Sequence, residues 1–121
     1  MLKKRYRLKN KKAFDATYNL KQVVSNSLLI LYVGKKKTID DVDTKFGFIA
    51  SKKYHKRAVK RNRIKRLVRE SVRLILKNNE FDGLENYLSF IFVPKNEALN
   101  KKFCDIDNAV KDLFTRSLRK F

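Results

Sequence analysis

Four groups of residues in this chain have the types or spacing for chemistry: one histidine, one cysteine, a short acidic cluster and a dense basic run. A nucleophilic Cys104 would need a histidine and an orienting partner. The single histidine, His55, sits inside a cationic stretch, so Cys104 reads instead as a small apolar packing residue. Asp40, Asp41 and Asp43 are the only tight acid cluster. They read as a solvated hairpin tip rather than a metal site, and phosphodiester hydrolysis needs clustered carboxylates with metal or a placed acid–base pair. The chain by itself therefore does not read as a nuclease. What remains is residues 58–71, AVKRNRIKRLVRES, with Lys60, Arg61, Arg63, Lys65, Arg66 and Arg69 ahead of the first acid, Glu70.

That run breaks a rule of helix electrostatics. A helix N-terminus carries roughly half a positive charge, so acids stabilise its first turn and bases destabilise it. Here Arg57, Lys60, Arg61 and Arg63 occupy the first two turns, with Lys52, Lys53 and Lys56 leading in and no carboxylate from Thr44 to Arg69. Phosphates relieve the conflict, because they meet backbone N–H groups, the dipole and the side chains together. The arginines offer planar forks for phosphate or a base edge, and the lysines act as point charges. Asn62, between two arginines, can donate and accept toward a sugar or base. A merely solvated helix face would interleave glutamate.

Composition agrees with an anionic partner. The 121 residues hold 31 Lys and Arg against 12 Asp and Glu, a formal charge of +19. Excess of that size speaks to nucleic acid, an anionic membrane or an acidic protein rather than to fold. Nine Phe and five Tyr supply a modest core, unlike a disordered basic tail. A single cysteine forbids an internal disulfide, no apolar run is long enough to span a membrane, and the basic N-terminus lacks a signal peptide's apolar stretch. The expectation is a cytoplasmic protein of one domain, residues 1–121.

The elements that must position the basic run follow from hydrophobic spacing. Asn10 caps a helix over residues 11–20 on which Phe14 and Tyr18 share a face, with Ala13 and Thr17 beside them. Residues 23–36 read as a strand apolar on both sides, which requires cover on both or a binding cleft on one; residues 22–26 are a further short strand. A polar loop, KKKTIDDVDTK, turns the chain back, and residues 46–51 form the next strand, with Gly47 allowing close backbone approach. The long helix runs from near Arg57 to Lys77, with Ile64, Leu67, Val68, Val72, Ile75 and Leu76 as its apolar stripe. Gly83 marks a turn, residues 87–94 are a buried strand stopped by Pro94, and a closing amphipathic helix carries Phe103, Ile106, Val110, Leu113, Phe114 and Leu118. Its last turn holds Arg116, Arg119 and Lys120, as the dipole prefers. The fold class is α+β: one small sandwich, order α-β-β-β-α-β-α, a mostly antiparallel sheet with helices packed on it.

Single-stranded RNA is read by stacking on aromatic rings beside a positive groove, and Phe14, Tyr18 and Tyr32 are candidate rings. Duplex DNA remains a rival, since a helix can enter the major groove. A helix-turn-helix, however, needs two short helices and a tight turn, and here a strand precedes the basic helix.

The string SKKYHKRAVKRNRIKRLVRE resembles the bacterial ribonuclease P protein subunit, whose signature is a strand ending S-K-K, a linker, then a helix with R-N-R-x-K-R. In this chain the motif is Arg61, Asn62, Arg63, Lys65 and Arg66, followed by Arg69. RLKNKKAFDATY is similar to the family's opening, LILYV to its aromatic-bearing strand and KFGFIASKK to the strand before the helix, so the resemblance covers nearly the whole chain. It departs in having Lys56-Arg57 where the family often has Gly-Asn, and Lys45 where arginine is common.

The resemblance implies an accessory to a catalytic RNA in a ribonucleoprotein that removes the 5′ leader from precursor tRNA. The partners implied are the ribonuclease P RNA and precursor tRNA, with Mg²⁺ held by the RNA and no obligate protein partner. Arg57, Lys60, Arg61, Asn62, Arg63, Lys65, Arg66 and Arg69 would face the RNA subunit. Phe14, Tyr18 and Tyr32 would line a leader cleft made by the first helix, one sheet face and the long helix, with Ser51, Lys52 and Lys53 at its edge. The family fold also has a left-handed crossover at the long helix, against the usual right hand. A ribosomal-type RNA-binding protein is the alternative from another class; both ends of this chain look ordered, whereas such proteins often carry long basic tails.

Overall fold

The computed structural model describes residues 2–38 and 42–121. Three helices and four strands follow one another as α1 (Lys11–Asn19), β1 (Val23–Ser25), β2 (Leu29–Val33), β3 (Lys45–Phe48), α2 (Ala58–Lys77), β4 (Ser89–Pro94) and α3 (Phe103–Lys120). The strands form one mixed sheet in the order β1-β2-β4-β3. β1 with β2 and β2 with β4 are antiparallel, whereas β3 runs parallel to β4, with α2 as the crossover between them.

Local chemistry explains most boundaries. Asn10 caps α1 as expected, its Oδ1 accepting from the Lys12 N–H at 2.9 Å. The run read as strand over 23–36 is two strands, and the first of them is the short strand expected over 22–26. Asn26 breaks the run by accepting from the Leu28 and Leu29 N–H groups at 3.1 and 3.0 Å, an Asx-type turn that reverses the chain. The same side chain donates to the Ala109 carbonyl at 3.0 Å and to Asp112 at 3.1 Å, fixing that turn to α3. β3 is shorter than the 46–51 expected, and β4 begins at Ser89 rather than 87. Gly83 takes the left-handed conformation, φ 100°, at the turn after α2.

The polar loop after β2 does not close a hairpin, because β4 lies between β2 and β3. Asp43 is exposed, and Asp40 and Asp41 lie outside the described residues. The outer edge of β3 is covered by the N-terminal segment: the Leu8 N–H donates to the Phe46 carbonyl at 2.8 Å, and Arg7 bridges Phe46 in parallel. Covering an edge in this way removes a template for unwanted strand pairing.

The two sheet faces differ. Leu29, Leu31, Val33, Phe46, Phe90 and Phe92 are buried on one face, where Phe114 of α3 meets Phe46, Phe90 and Phe92 edge-on at 5.4–6.3 Å. The α2 stripe of Ile64, Val68, Val72 and Ile75 joins this same cluster. Register places Tyr32, Gly47, Ile91, Ile30 and Val93 on the opposite face, and α1 packs there. The sequence of β2, apolar on both alternating sets, is thus matched by cover on both sides.

Cys104 departs from its expected role. It is exposed in the first turn of α3, because two residues before buried Ile106 lie about 200° around the helix, on the far side. No helix among the described residues is long and apolar enough to cross a membrane.

Candidate nucleic-acid interface

Two surfaces carry the residues singled out from the sequence, one built on α2 and one between α1 and the sheet. In α2 the N-cap is Arg57, extended at φ −80°, ψ 123°, with no side-chain cap and no acid in the first turn. Its lead-in is fastened from within: the Arg57 N–H donates to His55 Nδ1 at 3.0 Å. Arg61 turns back to donate to the His55 and Lys56 carbonyls at 3.0 and 2.9 Å. His55 is therefore a piece of the linker's hydrogen bonding.

The remaining cations fan around the helix as its 100° step per residue requires. Lys60 and Arg63 reach toward α3, donating to Asn100 Oδ1 at 3.3 Å and to the Lys101 carbonyl at 2.8 Å. Asn62 and Arg66 face outward and are exposed. Asn62, Lys65, Arg66 and Arg69 line a groove of about 430 Å³ with Leu2 and Glu70, where the N-terminal segment crosses the helix. Arg69 lies over the Phe48 ring at 5.4 Å with its Nε buried and without a hydrogen-bond partner. Burial, and then the charge of Arg7, hold its guanidinium below the usual arginine range.

No ion pair among the described residues involves a cation between Lys52 and Arg69. The four pairs present, Arg73–Glu70, Lys111–Glu80, Lys111–Asp107 and Arg116–Asp112, all lie beyond it. The acids are thus spent on the second half of α2 and on α3, and the first half of α2 keeps its cations uncompensated by carboxylate.

α1 crosses the other sheet face from strand to strand. Phe14 sits on β3, where a Cβ added at Gly47 would lie 2.6 Å from its ring. Thr17 meets β4 through Ser89, and Tyr18 meets β2 by an edge-on contact with Tyr32, centroids 4.7 Å apart and planes at 79°. All three aromatic residues are half-buried. The structure thus brings Phe14, Tyr18 and Tyr32 onto one face, which continues through the half-buried cross-strand pair Ile30–Val93. Burial, then the neighbouring Tyr32, raise the Tyr18 phenol above its ordinary value, so it stands neutral as a donor.

Ser51, Lys52 and Lys53 are exposed in the turn that leaves β3, where the Tyr54 N–H donates to the Ser51 carbonyl at 3.0 Å. The aromatic trio and the buried stripe of α2 lie on opposite faces of the sheet, so the face carrying the trio is made by α1 and the sheet. The cleft expected from the resemblance included the long helix; α2 packs instead on the other face, because its apolar stripe joins the Phe46, Phe90 and Phe92 cluster. Among the described residues no group of three or more His, Cys, Asp or Glu is placed to hold a metal ion. Gly47, expected to admit a neighbouring backbone, instead provides the flat bed for the Phe14 ring. Spacing alone did not mark Ser89, a polar residue opening the apolar run SFIFVP, which is bonded beneath α1.

Solved proteins share this architecture. Ribonuclease P protein from Staphylococcus aureus superposes with a TM-score of 0.71 at 25% identity, covering 93% of this chain and 94% of that one. Ribonuclease P protein from Thermotoga maritima, at 18% identity, shares the fold with a TM-score of 0.71 over 91% and 96% of the two chains. The architecture is that of the bacterial ribonuclease P proteins.

Sequence comparison gives the same answer. The Ribonuclease P family model matches residues 2–118. The ribonuclease P protein component of Clostridium kluyveri is 36% identical over 113 residues, 93% of this chain and 94% of the relative. That of Clostridium acetobutylicum is 32% identical over 114 residues, 94% and 90%. The chain belongs to the ribonuclease P protein family, which places it in tRNA processing.

Proposed function

We propose that the chain is the accessory subunit of a ribonucleoprotein endoribonuclease, in which α2 docks on the catalytic RNA and the α1–sheet cleft takes the 5′ leader of precursor tRNA. The observation that carries the reading is the separation of charge along the linker and α2: among the described residues, cations from Lys52 to Arg69 have no carboxylate partner, and paired charges follow. Arg57, Lys60, Asn62, Arg63, Lys65, Arg66 and Arg69 meet RNA phosphates. Arg61, bonded to the His55 and Lys56 carbonyls, holds the linker that presents them. Phe14, Tyr18 and Tyr32 stack leader bases, and Ser51, Lys52 and Lys53 track the backbone leaving the cleft.

In this reading Mg²⁺ and bond cleavage belong to the RNA. The protein's surfaces offer phosphate-facing cations, and screening phosphate repulsion lowers the Mg²⁺ that the RNA requires.

The test is cleavage of 5′-labelled precursor tRNA at low Mg²⁺ with protein alone, bacterial ribonuclease P RNA alone, and both. Cleavage at the mature 5′ end with both only is the expected result. Cutting by the protein alone, or no gain over the RNA alone, would overturn the proposal.

A further inference from the structure

Among the described residues, one hydrogen bond joins α1 to the sheet, between Thr17 and Ser89. Thr17 is 2% exposed and Ser89 5% exposed, and their hydroxyls are 2.5 Å apart. Thr17 Oγ1 also donates to the Ala13 carbonyl one turn back, at 2.8 Å. A threonine hydroxyl has a single proton. With that proton given to Ala13, the Ser89 hydroxyl must be the donor across the contact. The chain Ser89 O–H to Thr17 O–H to the Ala13 carbonyl leaves neither buried hydroxyl proton unused.

Space for the serine hydroxyl is left by Gly34, the residue just past the end of β2. A Cβ added at Gly34 would lie 2.2 Å from Ser89 Oγ, and the Gly34 N–H donates to the Ser89 carbonyl at 2.7 Å. The aromatic contacts on either side of Thr17 restrict sliding by shape, Phe14 seated on Gly47 and Tyr18 edge-on to Tyr32. The buried hydroxyl bond adds a polar constraint between them, since loss of its geometry leaves an unsatisfied polar group. Sliding α1 by one residue would move it about 1.5 Å and turn it about 100°, carrying Phe14 off Gly47 and Tyr18 off Tyr32.

We propose that Thr17 is a positioning residue, whose buried hydroxyl bond to Ser89, with Gly34 leaving room for it, sets the register of α1 on the sheet and so the placement of Phe14 and Tyr18. Its consequence for substrate rests on the leader-cleft reading above; its consequence for α1 does not. Thr17→Val keeps shape and deletes the hydroxyl, Thr17→Ser keeps the hydroxyl, and Ser89→Ala and Gly34→Ala attack the partner side.

The experiment has two readouts on the same proteins. One is the set of NMR contacts between the Tyr18 and Tyr32 rings in the free protein. The other is the affinity of the reconstituted holoenzyme for precursor tRNA relative to mature tRNA. The expected result is that Thr17→Val weakens or shifts the ring contacts and cuts the leader-dependent gain roughly tenfold, within the range for one stacked base. Thr17→Ser then behaves as the parent, and Ser89→Ala as Thr17→Val. Parental ring contacts in both Thr17→Val and Ser89→Ala would overturn the proposal. Should Thr17→Val fail to fold, Ser89→Ala and Gly34→Ala decide by the same contacts. If Phe14→Ala leaves the leader-dependent gain intact while Thr17→Val still displaces the rings, the register assignment stands and the leader assignment falls.

Discussion

At the residue scale, the cations of α2 and the rings of α1 should separate cleanly in experiment. Arg66 is exposed and makes no ion pair among the described residues, so under the proposed function Arg66→Ala weakens assembly with the catalytic RNA. One phosphate contact fewer lowers the slope of log affinity against log salt by about one, which a salt titration of RNA binding checks. Phe14→Ala should instead cost about 1–3 kcal/mol of affinity for leader-bearing substrate and leave mature tRNA binding unchanged. Tyr18 gives a pH signature. Its folded pKa is raised from 10.0 chiefly by burial, so the neutral phenol favours the folded state. That contribution is fully present below the unfolded value and is lost as pH rises through the folded one. Denaturant midpoints of the parent should therefore fall at strongly alkaline pH more steeply than those of Tyr18→Phe.

At the element scale, two residues decide how neighbouring elements meet. Asn26 closes the β1–β2 turn with one end of its amide and grips α3 with the other. Asn26→Ala leaves the turn's N–H groups and the Ala109 carbonyl without it, at about 1–3 kcal/mol, measurable by urea unfolding. Gly47 is the bed for Phe14: an added methyl would approach the ring to 2.6 Å. Gly47→Ala must push α1 outward, an overpacking cost of about 1–3 kcal/mol. Hydrogen exchange should accelerate in α1 while the α2–α3 core stays protected.

At the scale of the whole molecule, +19 on 121 residues sets the solution behaviour. Like charges on the first half of α2 repel, and an anion bound to the folded state offsets that repulsion. Sulfate or phosphate at matched ionic strength should raise the thermal midpoint, and a hundredfold excess over the dissociation constant stabilises by about 2.7 kcal/mol. A midpoint indifferent to those anions would mean that the cations are too widely spread to share one. The spread is real for part of the set: Lys60 and Arg63 point toward α3, and Arg61 onto the linker. Under the proposed function, Arg66 and Arg69, which line one groove with Asn62, Lys65 and Glu70, would take such an anion.

The linear chain determined the helices, because capping by Asn10, the apolar stripe of α2 and the periodicity of α3 are local signals that survive without neighbours. It determined the charge pattern too, since the absence of any acid from Thr44 to Arg69 is visible before folding. Strand limits were less legible: a short strand over 22–26 could be read, but not that the two-way hydrogen bonding of Asn26 separates it from the next. The parallel pairing of β3 with β4 was not legible either, because pairing is a contact between segments far apart in sequence. The same reason hid the roles of Gly34 and Ser89, and left Gly47 legible as a place of close approach but not as the bed of the Phe14 ring. Tertiary structure alone placed Phe14, Tyr18 and Tyr32 on one sheet face and the buried stripe of α2 on the other. Side-chain spacing along one segment says which residues share a side, and only packing says which side faces what.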